Sequence, residues 1–158
     1  MYPIAKLEQV FDNIRKQSHR NDGLVFTKEN ASYFTGICES MLKWKAPTDA
    51  SIDFRIRLDH NTILLLFATE NGEDVYDIYN PQIDDNFPGF AHNALQDGNI
   101  VEFTYDLDTK NWKFMRWRED KSVPNFKSVV ESVWNTITNG VTKQELSTTL
   151  MSQKIHCE

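Results

Sequence analysis

The sequence is poor in the residues that would place it quickly. It has two cysteines, Cys38 and Cys157, in no C-x-x-C spacing, and four scattered histidines at 19, 60, 92 and 156. A structural zinc site is therefore not expected, and a reducing compartment fits. No apolar run approaches the ~20 residues of a membrane span; the longest compact one is Ile63-Leu64-Leu65-Leu66-Phe67-Ala68. The opening Met1-Tyr2-Pro3-Ile4-Ala5-Lys6-Leu7-Glu8 has no basic stretch followed by an apolar one, so no signal peptide is expected. Cations are also outnumbered: 17 Lys and Arg against 23 Asp and Glu give a formal charge of −6. That excludes bulk nucleic-acid wrapping and leaves room for a local basic site. Repeats and low-complexity tracts are absent. What remains is ordinary globular chemistry, 40% hydrophobic and 25% charged over 158 residues.

The hydrophobic period changes twice. Ile4, Leu7, Val10, Phe11 and Ile14 predict an amphipathic helix over 4–17. Leu24-Val25-Phe26 predicts a short buried strand after an Asp22-Gly23 turn, and 27–40 reads as a loop. From residue 51 the period is two. Ile52, Phe54, Ile56 and Leu58 alternate with polar residues, Asp59-His60-Asn61 turns, and 62–69 is apolar. Asn71-Gly72 is the strongest hairpin signal. A third strand holds Val75, Ile78 and Tyr79, and 80–97 reads as a loop. A fourth strand holds Val101, Phe103 and Tyr105, and the last runs from Trp112 to Trp117 after a polar turn. Five short strands over 51–118 suit a barrel of the OB type. Beyond Pro124 the helical period returns with Phe126, Val129, Val130, Val133, Trp134 and Ile137. Gly140 is expected to end that helix as its C′ residue. Thr142-Lys143-Gln144-Glu145 has the form of a capping box opening a final helix.

Four places carry candidate chemistry, each with a plainer alternative. Lys43 and Lys45 flank Trp44, and in an extended segment they share a face that could clamp phosphate oxygens; a solvated edge strand is the alternative. Lys110, Lys113, Arg116, Arg118 and Lys121 form a basic strip suited to a polyphosphate or an RNA 5′ end. Ion pairing with the acidic stretch Glu70–Asp77 would explain it equally. Asp22 could hold a divalent metal near phosphates or could simply form the turn. Asp53 is a lone carboxylate on the polar side of a strand, for which plain exposure is the alternative. Tyr105, Trp112, Phe114 and Trp117 could stack bases, with core filling the alternative for those on the apolar face.

In order along the chain, four segments resemble the motifs of covalent nucleotidyltransferases in the form seen in eukaryotic mRNA capping enzymes. Asn21-Asp22-Gly23-Leu24-Val25-Phe26-Thr27 resembles the fourth motif and Leu42-Lys43-Trp44-Lys45-Ala46-Pro47 the fifth. Ser51-Ile52-Asp53-Phe54 resembles the segment that follows it. Trp112 to Asn125, with Arg118-Glu119-Asp120-Lys121-Ser122-Val123-Pro124-Asn125, resembles the sixth, R-x-D-K-x-x-P-N. Trp44 between two lysines and the D-K-x-x-P-N string favour the capping branch over DNA ligases. The resemblance covers about residues 20–145.

The resemblance implies an α+β chain with three parts. Residues 1–50 would be the tail of a nucleotidyltransferase domain, 51–122 an OB-fold domain, and 123–158 C-terminal helices. It implies a nuclear mRNA guanylyltransferase that moves GMP from GTP, through a lysine–GMP adduct, to the 5′-diphosphate end of nascent mRNA. Asp22 would then bind Mg or Mn, and Lys43 and Lys45 would contact the α-phosphate region. Asp53 would be the acidic residue after the fifth motif, and Arg118, Asp120 and Lys121 would orient the leaving phosphates. The nucleophile of that family is the lysine of K-x-D-G. Here Asp-Gly occurs at 22–23 and 97–98, preceded two residues earlier by Arg20 and Leu95, so the chain has no such lysine. It looks like the C-terminal part of a guanylyltransferase, expected to be inactive alone and to need the N-terminal half as a partner. RNA triphosphatase, the RNA polymerase II tail and an elongation-factor tail are further implied partners, and no membrane is. The alternative is a non-catalytic OB module that binds a phosphorylated tail.

Overall fold

A computed structural model describes residues 2–19, 21–33, 35–36, 38, 40–59, 62–68, 71–76 and 96–152. The helices are α1 (Leu7–Arg15), α2 (Lys127–Asn139) and α3 (Lys143–Ser152). The strands are β1 (Leu24–Thr27), β2 (Met41–Trp44), β3 (Ser51–Asp59), β4 (Thr62–Ala68), β5 (Asp74–Tyr76), β6 (Ile100–Asp106) and β7 (Asn111–Trp117). Two compact units emerge: Met1–Pro47 with Val141–Glu158, and Thr48–Gly140. Among the described residues no helix is long and apolar enough to cross a membrane.

In the first unit the predicted helix begins as a 3₁₀ turn at Ile4–Lys6 and continues as α1, burying Leu7 and Phe11. β1 and β2 form an antiparallel ribbon with Leu24 opposite Trp44. Leu24-Val25-Phe26 does not form the buried strand expected. Val25 is 64% exposed, because alternate side chains of a two-stranded ribbon point to opposite faces. Gly23 enters β1 at φ +103°, and a Cβ there would lie 2.1 Å from the Trp44 carbonyl oxygen, so the turn requires glycine. The Phe11 and Trp44 rings meet edge-on at 5.6 Å. The Trp44 indole donates to the Val141 carbonyl at 2.8 Å, and the Lys143 ammonium lies 4.3 Å from the Phe11 ring centre. The capping box of α3 is formed: the Glu145 carboxylate accepts from the Thr142 N–H at 2.8 Å, and the Glu145 N–H donates to the Thr142 hydroxyl at 3.2 Å.

The second unit holds the five predicted strands in one antiparallel sheet of order β5-β4-β3-β6-β7. Among the described strands the sheet is open, with β5 and β7 as edges. Period-two alternation explains its core: Ile52, Phe54 and Ile56 from β3 meet Val101 and Phe103 from β6, all at most 3% exposed. Trp112 is 1% exposed and packs edge-on against Phe54 and Tyr105, so it is a core residue and not a base-stacking surface. Trp134 of α2 covers Tyr105 at 4.8 Å. Of the predicted apolar stripe of α2, Val130 and Ile137 are buried, while Phe126 and Val129 are exposed. Gly140 ends α2 as expected, without the left-handed form common after helices. It leaves α2 extended (φ −69°, ψ 152°), and its N–H still reaches the Thr136 carbonyl, so no left-handed cap is needed. The hairpin around Asn71-Gly72 is present, with Ala68 opposite Asp74 and Gly72 at positive φ. The expectations for Ile78, Tyr79, the loop to residue 95, Cys157 and His60, His92 and His156 fall outside the described residues.

Candidate functional site

The sheet unit brings three of the candidate residues onto one carboxylate. Asp53 lies on β3 opposite Glu102 of β6, on the face away from Ile52 and Phe54. Arg118 follows β7, where its N–H donates to the Ile100 carbonyl at 2.8 Å, and Lys121 closes a turn by donating to the Arg118 carbonyl at 3.1 Å. The turn folds both cations over β3. Arg118 Nη1 donates to both Asp53 oxygens at 3.0 Å, and the Lys121 ammonium binds the same carboxylate. Asp53 is 5% exposed, which excludes the plain-exposure reading. Asn125 ties the strand from beneath, accepting the Asp53 N–H at 2.7 Å and donating its own N–H to the Asp53 carbonyl at 2.8 Å.

Acidic neighbours hold Arg118 in place. Its Nε and Nη2 each donate to Asp120 at 2.9 Å, and Nη1 lies 3.5 Å from Glu102. Asp120 raises the Arg118 pKa most, burial opposes it, and Asp53 and Glu102 add to the rise. In return Arg118 lowers the Asp120 carboxyl to about 2. Burial pushes Glu102 up, but the Ser51 hydroxyl at 2.6 Å and Arg116 at 2.6 Å outweigh it, and the carboxyl sits below its ordinary range. A paired, hydrogen-bonded cluster satisfies the requirement for burying charge.

Four cations of the basic strip pair with carboxylates of β3 and β6. Lys113 pairs with Asp106, Arg116 with Glu102, and Arg118 and Lys121 with Asp53. For Lys113 and Arg116 the cause is register, since β7 lies beside β6; Arg118 and Lys121 reach Asp53 of β3 through the turn after β7. In the stretch 70–77, Asp74 pairs with Arg55, whose guanidinium also donates to the carbonyls of Gly98 and Ser122.

In the first unit, Lys43 and Lys45 do share a face, and both reach Asp22, at 2.6 and 3.0 Å. Lys43 first, then Lys45, lowers the Asp22 carboxyl to about 2. These groups are solvated, with Asp22 67% and Lys43 59% exposed, so the contact is weak, on the order of 1 kcal/mol or less. A divalent ion does not fit Asp22 as it stands. Both carboxylate oxygens face ammonium groups, and no set of three His, Cys, Asp or Glu side chains converges among the described residues.

Sequence reasoning overlooked Glu102, Ser51 and the anchoring role of Asn125. The signal for Glu102 was its place between Val101 and Phe103, on the face opposite those two and level with Arg116 once the register is known. For Asn125 the signal was only its position in the segment from Arg118 onward.

Comparison with known proteins identifies the family of the chain. The model of the mRNA capping enzyme, C-terminal domain, matches residues 49–147. An mRNA-capping enzyme of Danio rerio is 34% identical over 138 residues, covering 82% of this chain and 21% of that protein. An mRNA-capping enzyme of Caenorhabditis elegans is 31% identical, covering 84% of this chain and 22% of that protein. The mRNA-capping enzyme subunit alpha of Schizosaccharomyces pombe is 31% identical, covering 84% of this chain and 36% of that protein. The chain thus spans between about a fifth and a third of the length of these relatives. With the family match covering most of its length, from the strand that carries Asp53 to the helix capped by Thr142, the chain belongs to the mRNA capping enzymes, in their C-terminal domain.

Proposed function

We propose that this chain supplies part of the site of an mRNA guanylyltransferase acting in the nucleus, with GTP as substrate and the 5′-diphosphate end of mRNA as acceptor. The observation that carries the reading is the gathering of Arg118, Asp120 and Lys121 around buried Asp53, within the region matched by the family. In the proposed reaction a lysine nitrogen from a segment with the K-x-D-G sequence attacks the α-phosphorus of GTP. The bond to the β-phosphate oxygen breaks and pyrophosphate leaves. An oxygen of the RNA diphosphate then attacks the same phosphorus and releases the lysine. Phosphoryl transfer of this kind needs positioning and charge neutralisation, which lysine and arginine side chains supply.

In this reading Lys43 and Lys45 take the α-phosphate. Their contact with Asp22 is solvated and weak, so a phosphate can replace it. Lys121 and Arg118 serve the leaving phosphates. The sheet with α2 is read as an OB-type domain whose movement brings those cations to the nucleotide. The Mg or Mn ion implied by the resemblance meets a single carboxylate already neutralised by two lysines, so no step is assigned to a metal.

The test is intact mass spectrometry after incubation with GTP and divalent metal. The chain alone should gain no GMP. With a supplied N-terminal segment bearing the K-x-D-G lysine, GMP should appear on that segment and be lost with Lys121→Ala. An adduct on this chain alone would overturn the assignment. The alternative, a module for a phosphorylated polymerase or elongation-factor tail, draws less support. It rests on the same strip of cations and on no separate contact or cleft among the described residues.

A further inference from the structure

Three carboxylates, Asp53, Glu102 and Asp120, meet three cations, Arg116, Arg118 and Lys121, so this patch of the sheet unit is neutral as it stands. The cations are not equally held. The Arg118 side chain is 14% exposed and contacts Asp53, Asp120 and Glu102. The Lys121 side chain is 32% exposed, and among the described residues its one ion pair is with Asp53. Lys121 and Arg118 also line a cleft of about 520 Å³ with Arg55, Asn99, Trp117 and Glu119. An anion entering this cleft therefore meets one cation that can turn and another that is fixed.

We propose that Asp53 is a built-in counter-anion, a carboxylate that stands where a phosphate oxygen will stand. Polyphosphate binding is then an exchange. Lys121 leaves Asp53 for the incoming phosphate, while Arg118 stays on Asp53, Asp120 and Glu102 and keeps the turn 118–121 in place. Lys121 contacts the ligand, and Arg118 is mainly a positioning residue. Because Lys121 must give up a carboxylate, the site resists singly charged anions and favours ligands with several charges close together. The inference deepens the guanylyltransferase reading by dividing the work between Arg118 and Lys121.

The probe is inorganic tripolyphosphate, titrated calorimetrically into the 158-residue chain and its variants. Asp53→Asn keeps the shape and an acceptor for Arg118 but removes the competing charge. It should bind tripolyphosphate tighter by roughly tenfold or more, the scale of a close charge pair. Lys121→Met should remove most binding. Binding by Asp53→Asn with none by the unaltered chain overturns the exchange, because Lys121 would then not leave Asp53 for the ligand. Unchanged or weaker binding by a folded Asp53→Asn variant overturns the proposal, as does no binding by either form.

A second measurement uses the unaltered sequence and does not depend on the variant's fold. The Lys121 ammonium is followed by NMR after ¹³C-dimethylation and assigned with Lys121→Arg. Tripolyphosphate should shift the Lys121 signal and leave the Arg118 Nε–H signal in place. A stationary Lys121 signal, or an Arg118 signal that moves with it, overturns the exchange. Exchange without GMP transfer in the complementation experiment would count against the enzyme reading alone, and transfer without exchange against this inference alone.

Discussion

Asn125 and Asp53 hold each other's backbone. The Asn125 side-chain oxygen accepts the Asp53 N–H at 2.7 Å, and the Asn125 N–H donates to the Asp53 carbonyl at 2.8 Å. The clasp spans 72 residues of sequence and fixes the strand from which Asp53 faces Arg118 and Lys121. Asn125→Ala leaves a buried N–H without its acceptor. The expected loss is about 1–3 kcal/mol, read as a lower urea midpoint. A midpoint equal to wild type would mean that water replaces the side chain without cost.

Trp112 is the largest fully buried side chain of the sheet unit, touching Phe54, Tyr105 and Trp134. Trp112→Ala should cost about 3–5 kcal/mol, and Trp112→Phe clearly less, because it leaves a smaller cavity. Denaturant unfolding followed by far-UV circular dichroism measures both. Equal losses in the two variants would argue against cavity formation as the cause.

Asp22 should titrate near pH 2 in a carboxyl-detected NMR experiment. Its folded pKa lies below the ordinary 3.8, so its contribution is complete above that value and is lost as the pH falls toward about 2. Lys43→Met should raise the midpoint toward 3.8, since Lys43 is the largest cause of the shift. The change in stability should stay below about 1 kcal/mol, because solvent screens the exposed pair. A midpoint unmoved by Lys43→Met would assign the shift to Lys45.

Thr142→Ala removes the two bonds of the Thr142 hydroxyl and leaves the Thr142 N–H on the Glu145 carboxylate. The Glu145 N–H loses its hydroxyl acceptor, and the Glu145 carboxylate loses the hydroxyl that donates at 2.7 Å. The expected cost is about 1 kcal/mol. The Glu145 pKa, lowered by the Thr142 N–H first and its hydroxyl second, should rise only partway. A Glu145 titration identical to wild type would show that the N–H alone sets it.

Local signals were read well from the sequence. The alternation of Ile52, Phe54 and Ile56 located β3 and its core face, and Thr142 with Glu145 located the start of α3. Both depend on neighbours within a few residues. Burial of Asp53 was not legible, because the groups that cover it lie 65 and 68 residues away and arrive only when the turn after β7 folds back. The partners of Lys113 and Arg116 failed to show because register decides them and a period-two pattern cannot. Gly140 marked the end of α2, although glycine there permits the left-handed form without requiring it. Arg118 and Lys121 could be picked out by resemblance, but their unequal hold on Asp53 needed coordinates.

The Trp44 indole and the Val141 carbonyl are 97 residues apart, yet they belong to one unit. During synthesis the ribbon of Leu24 and Trp44 emerges early and must wait for residue 141 before its indole N–H has this acceptor. The sheet unit, which ends at Gly140, has its whole sequence available first. Of these two units, the one whose sequence starts earlier is therefore the one that receives its last residues later.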